Sequence, residues 1–163
     1  MEKEIYEQII KKKDFSHLPM RDVEKTFEHF EKRQVSDEEK IRLTRDLLRK
    51  VFSAFTSQKI LSLKDKEPEW VLRKHISTRE RLPYYNELYS RLLKDFTDKE
   101  VTIFDLGAGI NGFSYNYFSG KLYYIGIEAI GQLVDLMNYY FKTRGLNARA
   151  VHESLFELDK IKK

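Results

Sequence analysis

Three glycines and two carboxylates carry the chemistry legible in this sequence. Gly107, Gly109 and Gly112 form a Gly-x-Gly-x-x-Gly turn, Asp105 stands two residues before it, and Glu128 follows about twenty residues on, the spacing of a dinucleotide-type fingerprint. Glycines at such positions permit dihedrals closed to other residues and let a ligand approach the backbone. Glu128 can hydrogen-bond ribose hydroxyls, whether the ribose belongs to NAD or to S-adenosyl-L-methionine. Asp105 separates the two ligands. A carboxylate there would face a diphosphate unfavourably, whereas S-adenosyl-L-methionine presents an ammonium with which it can pair. The plainer role for Asp105 is a satisfied polar strand end.

The elements that must position these residues follow from periodicity. Val101, Thr102, Ile103 and Phe104 read as a buried strand feeding the turn. Lys121 to Glu128 reads as a second strand ending in an acid. Ile130 to Arg144 is a helix with Leu133, Leu136, Met137, Tyr140 and Phe141 inward, closed by Gly145, and Ala148 to Glu153 is a third strand. The alternation strand, helix, strand, helix, strand predicts parallel pairing with right-handed crossovers, the first half of a doubly wound sheet.

Upstream, the pattern is helical. Glu2 to Lys13 and Arg21 to Arg33 are short amphipathic helices. Ser36 and Glu39 form a capping box that opens a longer one, with Ile41, Leu47, Leu48, Val51, Phe52 and Phe55 on one side and Lys40, Arg42, Arg45, Arg49 and Lys50 on the other. Gln58 to Lys66 reads as a connection or short helix, and Pro68 suits the first turn of a helix carrying Trp70, Val71 and Leu72. Ser77 and Glu80 make a second capping-box pattern, ahead of a helix expected to start near Arg81 or Leu82 because Pro83 is tolerated only in a first turn. That helix carries Tyr85, Leu88, Tyr89, Leu92 and Leu93.

Composition narrows the classes. With no Cys, disulfides and thiolate chemistry are excluded, and the four His show no ligand spacing, so no metal site is expected. No apolar run approaches the roughly 20 residues needed to cross a bilayer, and the opening Met-Glu-Lys-Glu is not a signal peptide, so a cytoplasmic protein is the expectation. The net charge of +4 is unevenly spread: residues 40–81 hold 12 Lys/Arg against 5 Asp/Glu, while residues 82–163 hold 10 of each. A basic segment interleaved with Phe52, Phe55 and Trp70 suits a polyanion such as RNA; the plainer reading is a solvated helix face.

His75-Ile-Ser-Thr-Arg-Glu-Arg81 ahead of a Tyr-rich helix, together with Ile103-Phe-Asp-Leu-Gly-Ala-Gly-Ile-Asn111, resembles the aminoglycoside-resistance family of 16S ribosomal RNA guanine-N7 methyltransferases. The resemblance runs from His75 to the C-terminus and is looser in the N-terminal helices. The His-x-Ser-Thr-x-Glu-Arg string is its specific part, whereas most class I methyltransferases share the glycine turn. Ala108 stands where these enzymes often have Cys, and Gly112 follows Asn111 where they often have Pro.

The resemblance implies an α/β protein: an N-terminal all-helical, basic RNA-binding domain with its connecting helix (1–97), then a partial Rossmann-like class I methyltransferase domain (98–163) holding its first three parallel strands. The implied cofactor is S-adenosyl-L-methionine. Arg81 would clamp its methionine carboxylate, Asp105 and the backbone of Gly107, Ala108 and Gly109 would hold its amino end, Glu128 would take the ribose, and Glu153 would lie near the adenine amino group. No side chain is expected to act as a catalytic base, since guanine N7 already carries an exposed lone pair. The implied partner is small-subunit ribosomal RNA or the 30S subunit, met by Lys40, Arg42, Arg45, Arg49, Lys50, Lys59, Arg73 and Lys74. Only three of the strands such a domain needs are legible, which would leave Val101 to Asp105 as a bare edge. The expectation is a truncated enzyme, or one completed by a second chain, that does not methylate RNA efficiently alone. The competing reading is a non-catalytic RNA-binding or interaction module with a vestigial cofactor turn.

Overall fold

The computed structural model describes residues 1–11, 15, 17–52, 62, 64–96 and 99–160, without the side chains of 158 and 160. Three strands, β1 (Val101–Leu106), β2 (Leu122–Glu128) and β3 (Ala148–His152), form one parallel sheet in the order β1-β2-β3. Phe104 pairs with Ile125 and Asp105 with Gly126, while Tyr124 pairs with Ala148 on the other side. The register brings the C-terminal ends of all three strands, and hence Asp105, Glu128 and Glu153, to one rim of the sheet.

The β2–β3 crossover is the expected helix, Gly131–Arg144, which ends at Gly145 in the left-handed conformation (φ 60°). The Leu146 N–H then returns to the Phe141 carbonyl at 2.9 Å, which satisfies a carbonyl orphaned by the helix end. The β1–β2 crossover departs from expectation. Instead of an α-helix, Asn111–Tyr117 is a 3₁₀ run. Its residues explain this: Asn, Gly, Ser and aromatics are poor helix formers, and the Ser114 hydroxyl bonds back to the Asn111 carbonyl at 2.7 Å. Phe113 of this run stacks on Tyr140 with ring centroids 4.5 Å apart.

Gly112 is held there by space. A Cβ at this position would come within 2.6 Å of the Phe141 ring and 2.9 Å of the Met137 sulfur. Gly112→Ala is therefore expected to destabilise the fold by about 1–3 kcal/mol through overpacking. A lower urea midpoint at unchanged m-value would show it.

The helices ahead of the sheet are α1 (Lys3–Ile10), α2 (Met20–Glu31), α3 (Asp37–Phe52), α4 (Pro68–Leu72), α5 (Ile76–Arg81) and α6 (Tyr85–Leu93), and Gly131–Arg144 is α7. The Ser36 hydroxyl accepts from the Glu39 N–H at 3.3 Å, as its capping pattern predicts. The buried row of α3 is Ile41, Thr44 and Leu48, not the row through Val51, which is 55% exposed. Thr44 is tolerated inside because its hydroxyl returns to the Lys40 carbonyl at 2.8 Å. Phe55 lies outside the described residues.

The second capping box does not form. Ser77 sits within α5 and bonds the His75 ring at 2.8 Å, and Pro83 lies in a 3₁₀ turn, Leu82–Tyr84, between α5 and α6. The buried side chains of the helical part and of the sheet make one continuous cluster, from Ile9 and Val23 to Tyr124 and Phe141. The His17 carbonyl accepts the Gly131 N–H at 3.2 Å, so the segment before α2 caps the start of α7. Among the described residues no helix is long and apolar enough to cross a membrane.

Candidate functional site

The turn after β1 is fixed from within. Gly107 and Gly109 take positive φ (72° and 55°), which only glycine adopts freely. The N–H groups of Gly107 and Ala108 both donate to the Ile127 carbonyl, at 2.9 and 3.0 Å. The Gly109 N–H donates to Glu128 Oε2 at 2.7 Å, and the Asn111 N–H to the Ala108 carbonyl at 2.8 Å. A phosphate-binding turn keeps such donors free for its anion. Here four of them are already committed to the protein.

Asp105 meets the opposite situation. Its Oδ2 accepts from Asn111 Nδ2 at 2.7 Å and from the Tyr124 hydroxyl at 2.6 Å, and among the described residues nothing donates to Oδ1. The support continues outward. The Tyr85 hydroxyl donates to Asn111 Oδ1 at 2.7 Å, and Tyr89 shares a 2.6 Å bond with Ser114. Tyr85 stacks on Tyr89, which stacks on Phe118 at 3.9 Å between centroids. Burial raises the phenol pKa of Tyr85, Tyr89 and Tyr124, and the Asp105 charge raises each further. All three phenols stay protonated, so Tyr85 and Tyr124 remain donors, to Asn111 and to Asp105.

Glu128 is 7% exposed at the end of β2. Its second oxygen, Oε1, accepts from the Ile130 N–H at 2.9 Å. It therefore clasps the glycine turn and the start of α7 together. Burial lifts its carboxyl above the usual glutamate range; the N–H bonds from Ile130 and Gly109 oppose this, and the nearby Asp22 charge adds to it. Glu153 accepts from the Ser154 N–H at 3.1 Å, beside the same strand ends.

Arg81 donates from Nε to the Ser77 carbonyl at 2.9 Å and holds its guanidinium 6.0 Å from the Tyr85 ring centre. It thus stands on the same tyrosine that supports Asn111 and Asp105. His75 is kept towards its neutral form by burial and by the Arg81 charge.

The basic candidates separate into two groups. On α3, Lys40 pairs with Asp37 at 3.1 Å, Arg42 with Glu39 at 2.7 Å and Asp46 at 3.0 Å, and Arg49 with Asp46 at 2.7 Å. Arg45 donates to the Gln8 and Ile9 carbonyls, where it caps the end of α1. Lys50 is exposed on the same helix. Away from α3, Lys74 lies 3.6 Å above the exposed Trp70 ring, and Arg73 lines an open cleft with Arg79, Glu69 and Tyr117. Lys59 lies outside the described residues.

Sequence reading missed the Asn111, Tyr85, Tyr89, Tyr124 and Ser114 support. Periodicity alone places Tyr85 and Tyr89 in an apolar helix row, although a buried tyrosine must find a partner for its hydroxyl and so points to a polar centre nearby.

No family model and no curated protein sequence matches the chain. Solved structures do match in fold. The 16S rRNA methylase RmtB superposes with a TM-score of 0.78 at 18% identity, over 94% of this chain and 64% of its own. An rRNA methylase from Escherichia coli gives 0.79 at 18% identity over the same shares. The 16S rRNA methyltransferase RmtF, solved in complex with S-adenosyl-L-homocysteine, gives 0.72 at 19% identity, over 96% of this chain and 65% of its own. The chain thus shares their fold and spans just under two thirds of their length.

Proposed function

We propose that the turn after β1 binds S-adenosyl-L-methionine and that the chain is the donor-binding part of an enzyme that methylates guanine N7 in small-subunit ribosomal RNA. The observation that carries this reading is the contrast at the turn: a carboxylate with one oxygen braced and the other open, next to backbone donors already committed. Such a site suits a cation and offers little to a diphosphate. The fold shared with RmtB, RmtF and the Escherichia coli methylase supports the substrate class.

On this reading Asp105 pairs with the donor's ammonium, Arg81 faces its carboxylate, Glu128 takes ribose hydroxyls with the lone pairs left by its backbone bonds, and Glu153 lies towards the adenine. Bound there, the donor supplies an electrophilic methyl group to a nitrogen that already has its lone pair exposed. What remains for the protein is alignment and the exclusion of water, so no general base is required. A guanine in folded RNA would be presented out of its stack, with the RNA held by shape and phosphates. That substrate implies a cytoplasmic protein, and modification of a decoding-site guanine would give aminoglycoside resistance.

Calorimetric titration tests the donor site. Saturable binding of S-adenosyl-L-homocysteine with none of NAD is the expected result. Binding of neither by the folded chain would leave the non-catalytic RNA module as the better account.

The RNA contact has its own test. Exposed ion pairs such as those of α3 contribute little, so phosphate can compete for Arg42 and Arg49. Lys50, Arg73 and Lys74 are freer to reach it. Each of Lys50→Ala, Arg73→Ala and Lys74→Ala is expected to weaken binding to a small-subunit rRNA fragment and to reduce the slope of log K against log salt by about 1. Filter binding over a salt series would measure it; an unchanged slope would remove that residue from the interface.

A further inference from the structure

Buried polar atoms are almost always paired, so one that is not calls for an explanation. Asp22 of α2 holds such an atom: its Oδ2 is buried and has no hydrogen-bond partner among the described residues. Elsewhere the residue is well tied. Its N–H donates to the Pro19 carbonyl at 3.1 Å, and its carbonyl accepts from the Thr26 hydroxyl at 2.8 Å. Its carboxylate takes a hydrogen bond from Ser154, far along the chain. That bond needs one oxygen, and a role confined to seating α2 does not require a charge that burial opposes.

Ser154 gives Asp22 its reach. α2 packs against Leu155–Lys160, the 3₁₀ run that follows β3. Ser154 is fully buried just ahead of that run, where its hydroxyl accepts the Phe156 N–H at 3.1 Å and its carbonyl accepts the Glu157 N–H at 3.0 Å. A serine oxygen that closes a turn in this way dictates the path of the chain through it. With that oxygen accepting from Phe156, the hydroxyl proton is left for a carboxylate, and Asp22 supplies one.

The turn carries residues to the site on either side of Ser154. Before it, the Glu153 N–H donates to the Glu128 carbonyl at 3.1 Å. After it, Leu155 Cδ1 lies 3.7 Å from the position a Cβ on Gly107 would take, and Leu155 is still 41% exposed. The glycine turn is therefore bordered by an apolar surface with an open side. Asp22 also bears on the second acid of the site, since its charge is among the influences that raise the Glu128 carboxyl.

We propose that Asp22 is a positioning residue for the adenosine half of the donor site, acting through Ser154 to set the turn that brings Glu153 and Leu155 to the glycines. The inference rests on the donor reading above. It makes donor affinity depend on a helix that packs against α3, the helix of the basic candidates Lys40 to Lys50.

The probes are S-adenosyl-L-homocysteine and methylthioadenosine, which keeps the adenosine and lacks the amino acid, each titrated calorimetrically into the whole chain. Asp22→Ala leaves the buried Ser154 proton without its acceptor and is expected to weaken both ligands by a similar factor, about 10-fold. Amide exchange at Phe156 and Glu157 should quicken in this variant while that of β2 holds. Asp22→Asn keeps an oxygen for Ser154 and should bind both ligands within about 3-fold of wild type. Ser154→Ala serves if Asp22→Ala does not fold and should weaken both ligands alike; where both variants fold, adding Asp22→Ala to it should cost nothing further. Wild-type binding that Asp22→Ala and Ser154→Ala leave unchanged overturns the inference and spares the donor reading. So do weakening of S-adenosyl-L-homocysteine alone, an asparagine variant as weak as the alanine one, and additive losses in the double variant. Binding of neither ligand by the folded wild type fails the donor reading itself, and the inference falls with it.

Discussion

Asp105→Asn is expected to weaken S-adenosyl-L-homocysteine binding at least 100-fold while leaving the fold intact. The two effects separate because the two carboxylate oxygens have separate duties. Oδ2 takes both protein donors, Asn111 Nδ2 and the Tyr124 hydroxyl, and an amide oxygen in the same place can still accept them. What the amide would lose, on the proposed reading of the site, is the charge offered to the donor's ammonium. A 100-fold loss is about 2.8 kcal/mol, within the range of a hydrogen bond to a charged partner, taking 1.4 kcal/mol per tenfold. Asp105→Ala is a poorer test, since it strands two buried donors and confuses affinity with stability. Titration calorimetry on the asparagine variant, with a melting curve beside it, decides the matter. Unchanged affinity at unchanged melting temperature would show that Asp105 is only the satisfied end of a strand.

That alternative was open in the sequence because Asp105 alone is a residue type at a position. The sheet was more legible. The β-branched run at Val101, the acid closing the second strand at Glu128 and the glycine at Gly145 each state a local preference that the tertiary fold agrees with, and all three elements lie within a residue or two of their expected bounds. The failures share a cause. Spacing misses the first crossover, the start of α6 and the inward Thr44 of α3, although Ile41 and Leu48 are inward as it predicts; these misses turn on where Asn111, Ser77 and Thr44 send their side-chain hydrogen bonds. Two of these bonds are local, Thr44 to Lys40 and Ser77 to His75, but the Asn111 network joins distant parts of the chain. Asn111 reaches back to Asp105 and is reached by Tyr85, 26 residues earlier, a contact no local pattern encodes.

The same distance dependence makes Glu128 the residue whose loss should cost the fold most. Its oxygens accept from Gly109, 19 positions earlier, and from Ile130, so one buried carboxylate ties the turn to the start of α7. Glu128→Ala leaves two buried N–H groups unpaired, at roughly 1–3 kcal/mol each, and is expected to destabilise the chain by about 3 kcal/mol. For a chain of this size that is a fall in melting temperature of roughly 10 °C, at about 2–4 °C per kcal/mol.

The charge on Glu128 adds a pH signature with two opposite signs. Burial and the Asp22 charge raise its folded pKa above the ordinary 4.5, backbone bonds from Ile130 and Gly109 notwithstanding. A carboxyl raised on folding contributes stability that is complete below the unfolded pKa and is lost as pH rises through the folded one. Asp22, raised chiefly by its own burial, acts in the same direction, so only the difference between wild type and Glu128→Gln isolates Glu128. Above pH 4.5, therefore, wild type should lose stability relative to the glutamine variant as pH rises through the raised value. Donor affinity should move the other way, increasing over that interval as the carboxylate becomes a better acceptor for ribose hydroxyls. Melting curves and titrations over the same pH series, on both proteins, would show the crossing trends. Parallel trends would mean that Glu128 clasps the turn and takes no part in holding the donor.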